Sequence, residues 1–149
     1  MRQLWIAAGL SLAACAGTAF AQMQGHAIGQ NLGDITFAPT PGLQHCARNA
    51  VLSGDPAKGP SIILGKIAAG CTVPWHWHTP NEHLMLVSGR ARIEPRDAKP
   101  FVLEAGGFAK MPSRHVHQFS CLNDCMMYVQ SDGPFDIHFV DAPPMGMRH

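Results

Sequence analysis

The segment Gly70-Cys71-Thr72-Val73-Pro74-Trp75-His76-Trp77-His78-Thr79-Pro80-Asn81-Glu82-His83-Leu84-Met85-Leu86-Val87-Ser88-Gly89 decides how the rest of the chain is read. It carries β-rich runs on either side of a Thr-Pro-Asn turn. Residues two apart on a strand point to one face, so His76 and His78 converge. The turn at 79–81 predicts a hairpin whose returning strand begins at Glu82 and places its carboxylate beside the two imidazoles. Two imidazoles and a carboxylate suit a divalent first-row metal with coordination positions left open.

A second segment, Gly106-Gly107-Phe108-Ala109-Lys110-Met111-Pro112-Ser113-Arg114-His115-Val116-His117, runs from a glycine turn through a strand into a Pro-led turn. His117 opens the next strand, and from a neighbouring strand it would complete a set of three histidines and one glutamate. His115 shares parity with His117 if the strand has already begun, which makes it a candidate for supporting the ligands or for acid/base work. Alternation turns His83 away from Glu82, into the core or a supporting position, and puts Trp75 and Trp77 outside the metal cavity. Of the nine histidines, five fall between 76 and 117; His26, His45, His138 and His149 read as ordinary surface or core residues.

Outward from these segments the chain reads as strands. Short β-rich runs cover Ile35–Ala38, Ala47–Leu52, Ser61–Ala68, Val73–His78, Glu82–Val87, Arg90–Glu94, Pro100–Leu103, Phe108–Met111, His117–Cys121, Met126–Gln130 and Ile137–Val140, with Gly, Pro, Asn and Asp between them. No stretch keeps helical periodicity over three turns. The expected class is all-β, a sandwich or barrel. Met85, Met111, Met126 and Met127 lie in strands and read as core filling rather than copper ligands.

Both segments resemble the two motifs of the cupin superfamily. Gly70, His76, His78, Glu82 and Gly89 match every fixed position of the first. Gly106, Pro112 and His117 match the second, where Arg114 stands in place of a glycine and Cys121 in place of an asparagine. The resemblance implies a single-domain double-stranded β-helix, or jelly-roll barrel. It also implies one metal per chain on His76, His78, Glu82 and His117, drawn from Mn, Fe, Zn, Ni, Co and Cu. Pro74–His83, Gly107–Pro112 and Gly133–Phe139 are similar to small exported bacterial cupins. They are also similar to the cupin half of certain zinc-binding anti-sigma factors; no helical sigma-binding half is seen, so that role is not carried over. Family chemistry makes a small-molecule metalloenzyme, dioxygenase-like or related, the leading expectation. A non-catalytic metal- or ligand-binding or sensing module is the alternative, and a homodimer is the expected assembly.

The 149 residues allow one domain with a real core. Apolar residues make up 46% and charged residues 14%, with a formal net charge of +1, which argues against disorder and against a nucleic-acid binder. The beginning, Met1-Arg2-Gln3 followed by an apolar run and Ala19-Phe20-Ala21, reads as a secretory signal over 1–21. Leu12-Ala13-Ala14-Cys15 offers the competing reading of a lipobox with Cys15 lipidated. Either way the domain is expected outside the cytoplasm, in the periplasm, without a transmembrane segment. The expected layout is then an arm and first strand over 22–43, a barrel over 44–141 and a tail over 142–149. Four cysteines remain: Cys46, Cys71, Cys121 and Cys125. In an oxidising compartment they form two disulfides in one of three pairings, with Cys46–Cys71 and Cys121–Cys125 preferred, the latter across a hairpin turn at 122–124. A four-cysteine zinc site would need two close cysteine pairs, which the spacing lacks.

Overall fold

The computed structural model describes residues 27–142. The expected signal at 1–21, the lipobox at Cys15, His26, and most of the expected tail with His149 lie outside them. The chain divides into two compact units, Met1–Gln30 and Asn31–His149. Within the first, residues 27–30 carry no regular secondary structure.

The second unit is built almost wholly of strands. A short 3-10 turn at Leu32–Asp34 precedes β1 (Ala38–Pro39), β2 (Ala47–Gly54), β3 (Ser61–Ile67), β4 (Thr72–Trp77), β5 (Glu82–Ser88), β6 (Arg90–Pro95), β7 (Phe101–Glu104), β8 (Phe108–Met111), β9 (His117–Cys121), β10 (Cys125–Ser131) and β11 (His138–Phe139). The first strand lies later than its β-rich residues predict and is only two residues long; Pro39 has no N–H to extend a ladder.

The strands form two antiparallel sheets, the jelly-roll arrangement expected. One has six strands in the order β1-β2-β3-β10-β5-β8, the other five in the order β11-β4-β9-β6-β7. β2–β3 and β6–β7 are hairpins within a sheet. The turns at 79–81 and 122–124, expected to close hairpins, instead carry the chain between sheets: β4 and β9 belong to the five-stranded sheet, β5 and β10 to the six-stranded one. The reversal at Gly89 also crosses. Its φ is +90°, and a Cβ there would lie 2.2 Å from the Asp124 carbonyl oxygen, so only glycine fits.

The core fills the space between the sheets, with Leu84 and Leu86 of β5, Ala91 and Ile93 of β6, Met111, Phe119 and Met127 among its buried members. These positions alternate along their strands, so the period-two pattern specifies which face is buried. Cys46–Cys71 and Cys121–Cys125 are both disulfide-bonded, with Cα–Cα distances of 5.8 and 6.0 Å. Each joins the segment of one sheet to a segment of the other. Cys71 precedes β4 and Cys121 ends β9, so both bridges close the end of the barrel away from His76 and His117.

Candidate metal centre

β4 and β9 meet at the opposite end. His76 and His117 are direct cross-strand partners. On β4 the three steps from Val73 to His76 span the same length as the two steps from Phe119 to His117 on β9, so β4 carries a bulge at Pro74–Trp75. Pro74 lacks an N–H for the ladder, which suits it to that place. The bulge resets parity. Val73 packs against the core, and His76 still points inward although it lies an odd number of residues away. Trp75 is itself buried, at 6% exposure, within the monomer.

His76, His78, Glu82 and His117 are all buried, and their ring and carboxylate ends converge. One ligand atom from each of His76, His78 and His117 lies within 4.8 Å of the others. Glu82 enters from the facing sheet: its Oε2 is 3.5 Å from His78 Nε2 and 3.4 Å from His117 Nε2. The four sequence-expected residues are thus brought to one place, though across the two sheets rather than around one hairpin.

The imidazoles are held in one orientation. His76 Nδ1 lies 2.6 Å from the Pro74 carbonyl oxygen, and His117 Nδ1 lies 2.9 Å from that of His115. His78 Nδ1 bonds the carbonyl oxygen of Asp136. A carbonyl only accepts, so each Nδ1 donates and carries the ring proton. Each Nε2 is left with its lone pair facing the shared space. His78 Nε2 and Glu82 Oε2 are buried there without a hydrogen-bond partner in the protein. Two acceptors left facing each other would be costly. A divalent ion removes that cost: donors each about 2.1 Å from one ion lie about 3.0–3.4 Å apart, close to the two Glu82 contacts, and the imidazole atoms, within 4.8 Å of one another, would draw in slightly around it. The donor set therefore fits a metal.

Electrostatics point the same way. Burial, reinforced by the neighbouring His117, lowers the His76 pKa to about 4, so its imidazole stays neutral and available as a ligand. Burial alone would raise the Glu82 carboxyl, but the His117 and His78 side chains beside it outweigh it and hold it below its usual value. A stability consequence follows for metal-stripped protein. Between pH 6.5 and about 4 the unfolded chain binds a proton at His76 that the folded chain refuses. Stability therefore falls as pH falls through that window, by about 3 kcal/mol from His76 alone. Urea melts at pH 7 and 4.5 check this; equal midpoints would contradict it.

Loops complete the support. Thr79 N and Oγ1 donate to the Asp136 carboxylate at 2.7 and 2.5 Å, and His138 Nε2 donates at 2.9 Å. Burial alone would raise the Asp136 carboxyl, but the Thr79 and His138 bonds outweigh it and hold it at about 2. Asn81 is tied to Asp132 and to the Ser113 backbone. The ring of Phe135 stacks on His78 at 4.4 Å. Asp136 was not foreseen from sequence, because it acts on His78 through its main-chain oxygen. Asp136→Ala should weaken metal binding by about 10–100-fold, and Asp136→Asn by less, in competition with a chelating dye. Unchanged affinity in the alanine variant would remove Asp136 from this role.

The other expected positions fall elsewhere. β9 begins at His117, so His115 lies in the preceding turn; its Nε2 faces Asp97 at 3.2 Å, and only its carbonyl serves the site. His83 turns away from Glu82 and stacks on Phe108. His138 stacks on Trp77 at 3.9 Å. Arg114, where the motif has glycine, has φ +60°, so the turn keeps its glycine-like shape. Its N–H donates to the His78 carbonyl, and its guanidinium lies 5.1 Å from the Trp77 ring. Cys121, where the motif has asparagine, forms a disulfide.

Beside the cluster opens a chamber of about 170 Å³. Its walls are mainly apolar, from Leu43, Ile63, Leu84, Phe119, Val129 and Ile137 among others. A larger groove, about 540 Å³, lies at the disulfide end and is lined by Cys46, Lys66, Asp124 and Met126. Among the described residues, His76, His78 and His117 are the group of three or more ligand side chains close enough to hold an ion. No described helix is long and apolar enough to cross a membrane.

Residues 63–130 match the family profile of the cupin domain. Among curated proteins no sequence matches significantly. A polyketide cyclase from Streptomyces resistomycificus superposes with a TM-score of 0.66 at 13% identity, covering 80% of this chain and 89% of the cyclase. An RmlC-like cupin protein from Ralstonia eutropha gives 0.62 at 21% identity, covering 74% and 70%. A DMSP lyase from Ruegeria pomeroyi gives 0.56 at 20% identity, covering 76% of this chain but 55% of the lyase. At these identities the likeness is one of fold. Together with the matched domain and the two-sheet architecture, it places the chain in the cupin superfamily.

Proposed function

We propose that this cupin is a metal-dependent enzyme acting on a small molecule, with dioxygenase-like or related chemistry, at a single divalent transition metal held by His76, His78, His117 and Glu82. The observation that carries the reading is the triple Nδ1-to-carbonyl anchoring, which aims three Nε2 lone pairs at one point beside a buried carboxylate. When bound, the ion supplies Lewis acidity and open coordination positions. The chain supplies orientation through Pro74, His115 and Asp136, and an apolar chamber that excludes water from the ligand's far side. Similarity to a polyketide cyclase and a DMSP lyase supports a small-molecule substrate. Two disulfides support an oxidising, exported setting, with the periplasm as the compartment.

One observation favours a non-catalytic binding or sensing role instead. Apart from the four donors, the polar residues lining the chamber are Thr40, Arg48 and Asn49, none of which is a general base at neutral pH. Elemental analysis of untagged protein comes first. Less than about a tenth of an ion per chain, after exposure to Mn, Fe, Co, Ni, Cu and Zn, would sink both readings. With metal bound, turnover of a diketone or phenolic substrate that is lost in His76→Ala and His117→Ala supports the enzyme. Stoichiometric metal without turnover across such a panel supports the binding role.

A further inference from the structure

β3 presents Ile63, Gly65 and Ile67 to the chamber, every second residue along the strand. The middle position carries no side chain, although its neighbours in the row are isoleucines. The backbone does not ask for glycine there. Gly65 is not among the positive-φ glycines. A Cβ added to it would meet Met127 Cγ and the Met127 carbonyl oxygen, both at 3.9 Å, an ordinary contact. At Gly54 and Gly89 the same atom would lie 2.1 and 2.2 Å from a carbonyl oxygen. Glycine inside a strand forgoes packing and raises the entropy lost on folding. What Gly65 supplies in return is room. It pairs with Asn49 on one side and Met127 on the other, and all three line the chamber that holds the histidine cluster.

Size and charge narrow what that room takes. At about 170 Å³ the chamber is smaller than the roughly 300–1,000 Å³ of sites for drug-sized ligands, so it suits a compact ligand body. Three neutral imidazoles and one carboxylate leave a divalent ion with one net positive charge. Glu82 is the sole acidic residue in the lining; Arg48 is also there, but its guanidinium is bonded to the Phe37 carbonyl oxygen, and the walls beyond the cluster are mostly apolar.

We infer that Gly65 hollows out the seat for the ligand's apolar body. The chamber takes a monoanionic oxygen ligand, a carboxylate or enolate, carrying one ring or a short carbon chain. The anionic half of this inference rests on the metal reading above; the hollow at Gly65 does not.

Three measurements test it. Thermal melts compare wild type with Gly65→Ala, which should melt about 2–4 °C higher, because a methyl group fills empty space in a strand. A lower melting point would mean that the fold needs this glycine, and would overturn the inference. Saturation-transfer NMR with toluene, which needs no metal, should give a signal in wild type that is lost in Gly65→Leu; if leucine prevents folding, Gly65→Ala should weaken it. No signal in wild type, or equal signals in wild type and folded variants, overturns the hollow. Calorimetry with benzoate should show binding tighter by about tenfold or more in metal-loaded than in metal-stripped protein. Equal affinity in the two forms overturns the anionic ligand. If wild type takes up no metal, the metal reading and the anionic half fall together, while the melts and the toluene signal still decide Gly65.

Discussion

His117→Ala is expected to lower metal affinity by more than about 100-fold, beyond the loss typical of a supporting residue. The side chain is 1% exposed and stands directly across from His76. Its Nε2 also lies 3.4 Å from the Glu82 carboxylate, against 3.5 Å for His78 Nε2. Its loss removes one of three imidazole donors from the cluster. The metal-free variant should be less stable as well, by about 2–4 kcal/mol, because truncating a buried ring leaves a cavity. Titration against a chelating dye reads the first effect and urea denaturation the second. Wild-type metal affinity in a folded His117→Ala protein would exclude this histidine from the centre.

The double variant Cys46→Ala/Cys71→Ala should lose about 3.5 kcal/mol of stability, from the loop its bridge closes in the unfolded chain. The sequence separation is 25 residues, against 4 for Cys121–Cys125. By the same chain-entropy argument the shorter bridge contributes about 2 kcal/mol. Denaturant midpoints of the two double variants give the order. A larger loss for the Cys121/Cys125 pair would show that something other than loop closure dominates. Both bridges lie at the barrel end away from the histidines, so metal affinity should change by less than about threefold in either variant.

The fold class was open to reading because eleven β-rich runs alternate with strong turn residues, and each run appears as a strand or overlaps one. The sheet assignment was not. Thr79-Pro80-Asn81 encodes a reversal of direction, and a reversal within a sheet looks the same as one between sheets. The hairpin expected to carry Glu82 back to the histidines is a crossing, and Glu82 faces them from the other sheet. That His76, His78, Glu82 and His117 lie together was legible because strand parity and the turn at 79–81 bear on where their side chains go. Asp136 was not, because any residue has a carbonyl; only its contacts with Thr79 and His138 distinguish it. The parity argument for the His115 side chain did not apply, because parity is meaningful only inside a strand and the turn at 113–114 delays β9 until His117; His115 meets the cluster through its carbonyl instead.

The bulge at Pro74–Trp75 makes the centre sensitive to chain length as well as to composition. Ahead of it β4 is phased to the core; behind it the same strand is phased to the histidine cluster. Deleting a single residue there would alter no donor, yet it would rotate His76 to the opposite face if the register with β9 on the Val73 side held. A family member could thus silence this centre by a one-codon deletion while every ligand residue remained in its sequence.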